Sequence, residues 1–221
     1  MKNLTLVVPA KNEEGSLPTV LNEIKNYECS VIVVLEETDK ATIESIKNFD
    51  CKVIFQNGSG YGNAIIQGIN SVETEYLCIF NADGSFDPIY LERMLNFCES
   101  QDYVFTSRYL REGKSDDDTI LTKIGNFIFS TLGKILFSLK ISDILYTFIL
   151  GKTKAFKSLN LESNDFCLCV EIPIKAKRMN ASYLDIPSHE RRRIAGYKKV
   201  SEFKDGLKIL FAMIKYFLKI K

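Results

Sequence analysis

The sequence predicts an α/β fold built on a parallel β-sheet with helices on both faces. Short apolar runs that suit buried strands alternate with segments of helical periodicity through the first half of the chain. Polar segments follow the strands, at the sheet edge where ligands bind in folds of this class. The 221 residues are enough for one such domain with a sizeable core.

The elements of the first half follow one another in a regular order. Apolar runs predict strands at residues 4–8, 31–35, 51–55, 76–80 and 103–106. The segments between them predict helices at residues 13–27, 41–48, 63–70 and 88–100. Polar loops at residues 9–14, 36–38, 57–62 and 81–85 follow the first four strands. Because the carboxyl ends of parallel strands meet at one rim, these loops predict a shared binding site.

The segment at residues 76–88 is the most informative part of the chain. Its apolar run ends in Asn81, Asp83, Ser85 and Asp87, which all carry side-chain oxygen atoms. If the strand geometry persists, Asn81 and Asp83 point the same way, because side chains alternate with a period of two. Oxygen ligands suit a hard cation such as Mg²⁺ or Mn²⁺. The segment therefore predicts a metal site, and the alternative is a polar strand-to-helix turn with an N-cap.

The second half contains two longer amphipathic segments. Residues 120–141 repeat polar side chains with helical spacing, and we expect the opposite, apolar face to dock on the core. The tail at residues 203–221 has a narrow lysine stripe on an otherwise apolar helix: Lys204, Lys208, Lys215 and Lys219. Such a stripe suits the headgroups of an anionic membrane, and the alternatives are docking on the core or a dimer interface. We therefore divide the chain into a domain at 1–202 and a basic amphipathic helix at 203–221.

The composition excludes several function classes. A net charge of +1 gives no overall case for nucleic-acid binding. The six cysteines form no Cys-x-x-Cys pair and there is one histidine, so we expect reduced thiols in a cytosolic protein and no zinc site. We expect no signal peptide, because the first strand begins after three residues, and no transmembrane span, because no uncharged apolar run of about 20 residues occurs.

The glycine-rich loop at residues 57–62 resembles a phosphate-binding loop. A dinucleotide-binding fold, however, needs its glycines after the first strand, where this chain has residues 9–14 instead. The P-loop pattern Gly-x-x-x-x-Gly-Lys-Ser/Thr does not occur in the sequence. We therefore expect a tight, close-packed loop rather than direct phosphate contact.

Five motifs, taken in order, resemble family 2 glycosyltransferases of the GT-A fold. They are Val8-Pro9-Ala10-Lys11-Asn12-Glu13-Glu14, residues 60–68, Asn81-Ala-Asp83 at the family's Asp-x-Asp, Thr106-Ser-Arg108-Tyr109, and Glu190-Arg-Arg-Arg-Ile-Ala-Gly196 with Lys199. The similarity covers residues 4–206 and is greatest to dolichyl- or polyprenyl-phosphate sugar transferases. It implies the nucleotide-diphospho-sugar transferase fold, in which a mostly parallel central sheet has helices on both faces.

The resemblance also implies a role for each matched residue. Residues that would bind a UDP- or GDP-sugar are Pro9, Lys11, Glu13, Glu36, Asn81, Ala82, Asp83, Arg108 and Lys123. A Mg²⁺ or Mn²⁺ ion would be held by Asp83 with Asn81 and Ser85, and the acceptor phosphate by Arg191, Arg193 and Lys199. Asp83, Arg108 and Asp143 are the predicted catalytic residues.

Two positions depart from the family pattern. The second strand usually ends in Asp-Asp-x-Ser but here reads Leu35-Glu36-Glu37-Thr38, so Glu36 would reach a base with different geometry. Asn81 replaces the first metal-binding aspartate and supplies an oxygen atom without a charge. Metal binding should then depend more on the substrate diphosphate, as is common for Mg²⁺. A degenerate protein that binds nucleotide without turnover is the alternative.

The acceptor implied by the resemblance is a polyprenyl phosphate, used with inversion by an enzyme peripherally attached to the cytoplasmic membrane face. A lipid monophosphate is already anionic and needs no general base, only cationic guidance. A saccharide or other hydroxyl acceptor would require a carboxylate base, for which Asp143 and Glu171 are the candidates. Both carboxylates could equally be structural ion-pair partners. A homodimer also remains open.

Overall fold

The computed structural model describes residues 1–196 and 201–218 and confirms the α/β class. The strands are β1 (Leu4–Pro9), β2 (Ser30–Leu35), β3 (Lys52–Phe55), β4 (Tyr76–Ile79), β5 (Tyr103–Ser107), β6 (Lys114–Ser115), β7 (Ile149–Lys152), β8 (Tyr183–Pro187) and β9 (His189–Glu190). The helices are α1 (Leu17–Ile24), α2 (Lys40–Ile46), α3 (Tyr61–Asn70), α4 (Leu91–Cys98), α5 (Ile120–Phe137), α6 (Thr153–Ser158), α7 (Leu168–Arg178) and α8 (Glu202–Leu218). Short 3₁₀ turns lie at Lys25–Tyr27 and Pro88–Tyr90.

Seven strands form the central sheet, in the order β3-β2-β1-β4-β7-β5-β8. Strands β1, β2, β3 and β4 are parallel neighbours, and β5 is parallel to β8. Strand β7 is antiparallel to both β4 and β5, so those two strands run in the same direction on either side of it. The carboxyl ends of β1 to β5 therefore meet at one rim, as the sequence predicts for the first four strands.

The core consists of two apolar clusters that lie on opposite faces of the sheet. Strand β1 shows the division, because Val7 packs in one cluster and its neighbours Leu6 and Val8 pack in the other. Alternation of this kind is the geometry of a strand buried on both sides. The prediction of helices on both faces is confirmed.

Helix α5 packs with its polar face inward, so the expected docking of its apolar face on the core is wrong. Asn126 and Ser130 are buried, together with Gly133. The exposed side chains are mostly large and apolar: Ile120, Leu121, Ile124, Phe127, Ile128 and Ile135. The exposed fraction of the side chains of Phe127 and Ile135 is 72% in each case.

The hydrogen bonds of α5 explain this orientation. Asn126 Oδ1 accepts the backbone N–H of Leu145 at 3.3 Å, and Ser130 Oγ accepts that of Ile144 at 3.1 Å. Unpaired backbone donors are costly inside a protein, and these two polar side chains satisfy them. The polar face of α5 is buried because it fixes the segment that leads from Asp143 toward β7.

Helix α5 is also the one helix in the described ranges that is long and apolar enough to cross a membrane, judged by length and composition alone. The sequence predicts no transmembrane span, because no uncharged apolar run of about 20 residues occurs. A single helix that passes this test is weak support for a span.

The glycine-rich loop before α3 is close-packed, as expected. A Cβ atom at Gly60 would lie 2.2 Å from the carbonyl oxygen of Asn164, and one at Gly62 would lie 2.1 Å from that of Ser163. Gly60 also has a φ of +105°, which favours glycine. These glycines let the start of α3 touch the backbone of the segment before α7.

Candidate functional site

A cavity of about 700 Å³ opens at the carboxyl rim of the sheet. One side is polar and includes Lys11, Glu36 and Asp83, from the loops after β1, β2 and β4. The other side is apolar and includes Leu121 of α5 and Ile209 of α8. The cavity therefore joins two chemically different halves at the predicted position.

Most of the residues predicted to bind a nucleotide sugar line this cavity. They are Pro9, Lys11, Glu13, Glu36, Asn81, Ala82, Asp83 and Arg108. Lys123 does not line it and is exposed on α5. The predicted contact of Lys123 with donor phosphates therefore has no support from its position.

Asp83, Ser85 and Asn81 form a connected group after β4. Asp83 Oδ1 accepts hydrogen bonds from the backbone N–H and the hydroxyl of Ser85, at 3.0 and 2.6 Å. Asn81 Nδ2 donates to Ser85 Oγ at 3.3 Å, and Asn81 Oδ1 accepts from the Tyr61 hydroxyl at 3.3 Å. The loop is thereby held in a conformation that brings three side-chain oxygen atoms to one edge of the cavity.

The donor atoms of this loop fit a hard divalent cation. An amide, a carboxylate and a hydroxyl oxygen are the ligand types that Mg²⁺ and Mn²⁺ accept. The described residues contain no group of three or more Asp, Glu, His or Cys side chains that could hold a metal. Asp83 would therefore supply the one charged ligand, with Asn81 and Ser85 as neutral ones and the diphosphate of a substrate completing the set.

The polar side of the cavity contains paired polar groups. Lys11 Nζ lies 2.7 Å from Glu36 Oε1, which links the loops after β1 and β2. Glu13 Oε2 accepts the hydroxyl of Ser16 at 2.5 Å, and the backbone N–H of Glu13 donates to Thr42 Oγ1 at 2.9 Å. These contacts hold the loop at residues 9–14 against α1 and α2.

Arg108 lies in the wall of the cavity among three carboxylates. Asp143 accepts its Nε at 2.7 Å and its Nη2 at 2.9 Å, while Asp118 and Glu190 each accept Nη1 at 3.2 Å. Burial would lower the pKa of Arg108, but the charge and hydrogen bonds of Asp143 and the charge of Glu190 raise it well above its usual value. The ring of Tyr146 lies 4.5 Å from the guanidinium carbon. Arg108 is thus a fixed positive charge, and its predicted contact with phosphate stays a prediction.

Asp143 and Glu171, the two candidate bases, are both engaged in ion pairs. Asp143 is 1% exposed and bidentate with Arg108. Glu171 is fully buried outside the cavity, pairs with Lys175 at 2.7 Å, and accepts the backbone N–H groups of Glu162 and Ser163 at 2.8 Å each. The structure therefore shows the ion-pair roles that the sequence left open for both residues.

The arginines that follow β9 have different environments. Arg191 donates to both carboxylate oxygens of Glu23 and to the carbonyl oxygens of Gly84 and Phe86, and it does not line the cavity. Its predicted phosphate contact has no support from this position, because its guanidinium already joins α1 to the loop after β4. Arg193 lines the cavity and pairs with Asp117 at 2.7 Å. Lys199 lies outside the described residues.

The charge of Arg193 is secured by its neighbours. Burial acts to lower the pKa of Arg193, but the hydrogen bond and charge of Asp117 and the charge of Asp83 raise it above its usual value. Arg193 thus stays charged in the same cavity as Asp83.

The segment that carries these arginines is bonded to the loop after β4. The backbone N–H of Arg191 donates to the carbonyl oxygen of Ser85 at 2.9 Å, and that of Ile194 donates to the carbonyl oxygen of Asp83 at 2.8 Å. A Cβ atom at Gly84 would lie 2.4 Å from Ile194 Cδ1. The two loops thus pack directly on each other.

Sequence reasoning missed an acidic run that faces this segment. Asp116 pairs with His189, Asp117 with Arg193, and Asp118 with Arg108. The run itself, three aspartates after β6, is visible in the sequence and could have been flagged as a partner for the Arg191–Arg193 run. Its pairing depends on the contact between β6 and β9, which brings together residues about 75 positions apart.

Two aromatic side chains of the cavity were also missed. The rings of Tyr61 and Phe166 stack with their centres 4.9 Å apart, and both line the cavity. The Tyr61 hydroxyl forms a 2.7 Å hydrogen bond with Thr147 Oγ1 and also reaches Asn81. Tyr61 therefore connects the start of α3 with the candidate metal loop.

The sequence model of the family "Glycosyl transferase family 2" matches residues 5–159, which is more than half of the chain. The chain belongs to glycosyltransferase family 2. A mostly parallel sheet with helices on both faces and a polar rim is the arrangement expected for this family, and the recognition made from the five motifs is confirmed.

Three relatives illustrate the range of this similarity. The chain is 22% identical to glycosyltransferase AglJ of Haloferax volcanii over 83% of its own length, but it spans only 61% of that relative's length. It is 26% identical to undecaprenyl-phosphate mannosyltransferase of Micrococcus luteus, over 91% of this chain and 88% of the relative. It is 22% identical to a dolichyl-phosphate hexose transferase of Haloferax volcanii, over 98% of this chain and 95% of the relative.

A solved structure confirms the GT-A fold. Glucosyl-3-phosphoglycerate synthase from Mycobacterium tuberculosis, in complex with Mn²⁺, UDP and glucosyl-3-phosphoglycerate, superimposes with a TM-score of 0.77. The match covers 100% of this chain and 81% of that one, at 12% sequence identity. At this identity the likeness establishes the fold alone.

Proposed function

We propose that this protein transfers a sugar from a UDP- or GDP-sugar to a polyprenyl phosphate, working at the cytoplasmic face of a membrane. The observation that best supports the proposal is the two-sided cavity, which has Asp83 and Arg193 on its polar side and Leu121, Phe129 and Ile209 on its apolar side. A polyprenyl phosphate has the same division, because an anionic headgroup is joined to an apolar chain. The names of the Micrococcus relative and of the dolichyl-phosphate hexose transferase agree with this acceptor.

The chemistry follows from the charges that the cavity brings together. A Mg²⁺ or Mn²⁺ ion held by Asp83, Asn81 and Ser85 would neutralise the charge that grows on the leaving diphosphate. An oxygen atom of the acceptor phosphate attacks the anomeric carbon from the opposite face. The bond from that carbon to the diphosphate oxygen breaks, and the nucleoside diphosphate leaves with the electron pair. The configuration at the anomeric carbon is thereby inverted.

Neither Asp143 nor Glu171, the two bases predicted from the sequence, is placed to serve a hydroxyl acceptor. A hydroxyl nucleophile needs a carboxylate within hydrogen-bond reach to take its proton. Asp143 is bound to Arg108, and Glu171 is bound to Lys175 outside the cavity. An acceptor phosphate is anionic near neutral pH and needs only a cation to guide it. Arg193 would guide the acceptor by releasing Asp117 and binding the acceptor phosphate in its place.

The proposal is tested by sugar transfer from a panel of UDP- and GDP-sugars, with Mg²⁺ or Mn²⁺, into polyprenyl phosphate. Asp83→Asn and Asp87→Asn form a matched pair, because each removes one negative charge from the same loop. Asp87 caps the turn at Pro88 through the backbone N–H of Ile89 and does not line the cavity. We expect Asp83→Asn to lower transfer at least about 100-fold and Asp87→Asn to leave it within about twofold. Nucleotide binding without transfer by the wild type would favour the degenerate alternative.

Gly125 provides a test of the acceptor itself. Gly125 lines the cavity on α5, and a Cβ atom there would meet no atom within 4 Å. Gly125→Leu should therefore narrow the apolar half without disturbing the fold, and Gly125→Ala serves as its control. We expect Gly125→Leu to raise the KM for polyprenyl phosphate while the binding of UDP or GDP is unchanged. Transfer to a soluble saccharide that is unaffected by Gly125→Leu would support the hydroxyl-acceptor alternative.

A further inference from the structure

The exposed face of α5 is a continuous apolar arc. At about 100° per residue, Ile120, Ile124, Phe127, Ile128 and Ile135 fall within roughly a third of the helix circumference. Monomeric soluble proteins rarely expose a large contiguous apolar patch to water. Large exposed apolar patches mark contact sites for proteins or membranes. We therefore expect another molecule to cover the apolar arc of α5.

Helix α8 has a second arc of the same kind. Of the side chains described for α8, Ile209 and Met213 are buried and face the core. Its exposed apolar side chains are Phe203, Leu207, Phe211, Ile214, Phe217 and Leu218, of which Phe203 and Phe211 are 80% and 68% exposed. Helices α5 and α8 are in contact, with the rings of Phe137 and Phe217 6.2 Å apart. The two arcs thus belong to neighbouring helices.

Lysines border both arcs. Lys123 and Lys134 are exposed beside the arc of α5, which contains no acidic residue. Lys204, Lys208 and Lys215 form the adjacent stripe of α8. Apolar side chains bordered by cations are the pattern of helices that lie in the headgroup region of an anionic membrane.

We propose that the exposed faces of α5 and α8 form one surface that lies on an anionic lipid bilayer, with the cavity mouth at the bilayer. Leu121 and Phe203 support this orientation of the cavity toward the bilayer, because each lines the cavity and is also highly exposed. They lie at the cavity rim, where the surface and the apolar half of the cavity meet. The assignment of this surface to the bilayer depends on exposure and charge alone. The access that it would give a lipid acceptor rests on the proposed function.

The contacts of α5 favour lying on the bilayer over crossing it. A crossing α5 would have to release Asn126 and Ser130 from the backbone of Leu145 and Ile144, leaving those polar groups in hydrocarbon. A helix that lies in the interface keeps its buried face on the protein and exposes its apolar arc to lipid. This orientation preserves every hydrogen bond described for α5.

The charges disfavour a second copy of the chain as the occupant. A twofold contact is self-complementary, and one that packs the two copies of α5 antiparallel would bring their lysine borders toward each other. Like charges facing each other across an interface oppose association. Anionic headgroups instead complement Lys123, Lys134, Lys204 and Lys215.

The test is flotation of the full chain with phosphatidylcholine vesicles that contain or lack phosphatidylglycerol. The surface variant is Ile124→Ser/Phe127→Ser/Ile128→Ser, and the control is Val53→Ser/Phe55→Ser/Ile89→Ser. Both sets are exposed to similar extents and neither lines the cavity. We expect the wild type and the control to bind anionic vesicles and the surface variant to bind at least about tenfold more weakly.

The remaining measurements keep this result separate from the proposed function. Binding is measured without donor or acceptor, and UDP or GDP binding by the surface variant shows that it is folded. Equal vesicle binding by the surface variant and the control would overturn the proposal. A stable dimer of the wild type, absent in the surface variant and unable to bind vesicles, would also overturn it. Failure of sugar transfer in every variant would contradict the proposed function but not the vesicle result.

Discussion

Asn81 supplies an amide oxygen at the position where the family pattern has an aspartate. Its side chain is held between Tyr61 and Ser85, so the oxygen is fixed in place although it carries no charge. A cation at this loop would therefore face the single carboxylate of Asp83 until a diphosphate arrives. We therefore expect the affinity for the metal to depend on the nucleotide.

Asn81→Asp tests this dependence. The added charge should tighten Mn²⁺ binding in the absence of nucleotide by about tenfold or more, because it acts at contact distance from the ion. Titration calorimetry with Mn²⁺ alone, and then with Mn²⁺ and UDP or GDP, would measure the change. The control variant Asp87→Asn should leave the affinity for Mn²⁺ unaltered. Equal affinity of wild type and Asn81→Asp would show that residue 81 is not a metal ligand.

Glu171 is a residue whose ionisation supports the fold. Burial would raise the pKa of Glu171, but hydrogen bonds from Lys175 and Ser163 lower it below its usual value. Because the folded-state pKa lies below the unfolded-state value, the carboxylate stabilises the protein above the unfolded-state pKa. This stabilisation is lost as the pH falls through the folded-state pKa.

Glu171→Gln should therefore lower the free energy of unfolding near neutral pH by about 1–3 kcal/mol. The difference between wild type and variant should shrink as the pH is lowered into the range where the wild-type carboxylate becomes protonated. Urea denaturation at several pH values would measure it. Glu162→Gln is the control, because Glu162 is a highly exposed partner of the same lysine. A pH-independent difference would mean that shape, not charge, matters at position 171.

Among the elements, α3 and α5 use glycine for different reasons. Gly62 lies in the first turn of α3, where a Cβ atom would overlap the backbone of Ser163 and Asp165. Gly125 lies in α5 beside open space. The first glycine is required by packing, whereas the second leaves room in the cavity.

Gly62→Ala and Gly125→Ala should consequently change stability in opposite directions. Gly62→Ala should destabilise the protein by about 1–3 kcal/mol, because the loop before α7 must move away. Gly125→Ala should stabilise it by about 0.5–1 kcal/mol through higher helix propensity. Thermal unfolding of the two variants and the wild type would measure both changes in stability. Similar effects of both substitutions would contradict the packing assigned to Gly62.

The elements also show which parts of the fold local sequence can predict. Strands β1 to β5 are dense apolar runs and were predicted within a few residues, whereas β7 reads Ile-Leu-Gly-Lys and β8 reads Tyr-Leu-Asp-Ile-Pro. Those two short, mixed strands are specified by their neighbours in the sheet. The amphipathic pattern of α5 identified its two faces but not which one is buried, because that depends on the backbone groups of residues 144–145.

The same distinction applies to the site. Asp83 and Arg108 stand in the segments that follow β4 and β5, so their place at the rim could be predicted from position in the chain. The pairs of Asp117 with Arg193 and of Asp118 with Arg108 join segments that meet only in the folded chain. No local pattern specifies which acid meets which base.

For the whole molecule, a net charge of +1 conceals an uneven distribution. The lysines of α5 and α8 border an apolar surface, whereas acidic residues such as Asp116 and Asp117 lie by the arginines that follow β9. Attraction to an anionic bilayer should therefore be local to one side of the protein.

Vesicle binding should accordingly have two components. Raising the salt concentration from about 0.05 to about 0.5 M should weaken binding to anionic vesicles about tenfold or more, because the lysines are exposed and screened. A residual, salt-resistant part should persist through the buried apolar side chains. Flotation across a salt series would measure both parts. Binding that vanishes completely at high salt would show that Phe127 and its neighbours do not enter the bilayer.

The backbone hydrogen bonds between the loop after β4 and the segment at residues 191–194 should couple the binding of donor and acceptor. Asp83 and Ser85 share bonds with Ile194 and Arg191, so a shift of one loop must displace the other. If two ligands stabilise the same arrangement of these coupled loops, each raises the affinity for the other by the same factor, as thermodynamic linkage requires. A donor that orders the first loop would therefore also set Arg193 in place. Steady-state kinetics should then show that each substrate lowers the apparent KM for the other.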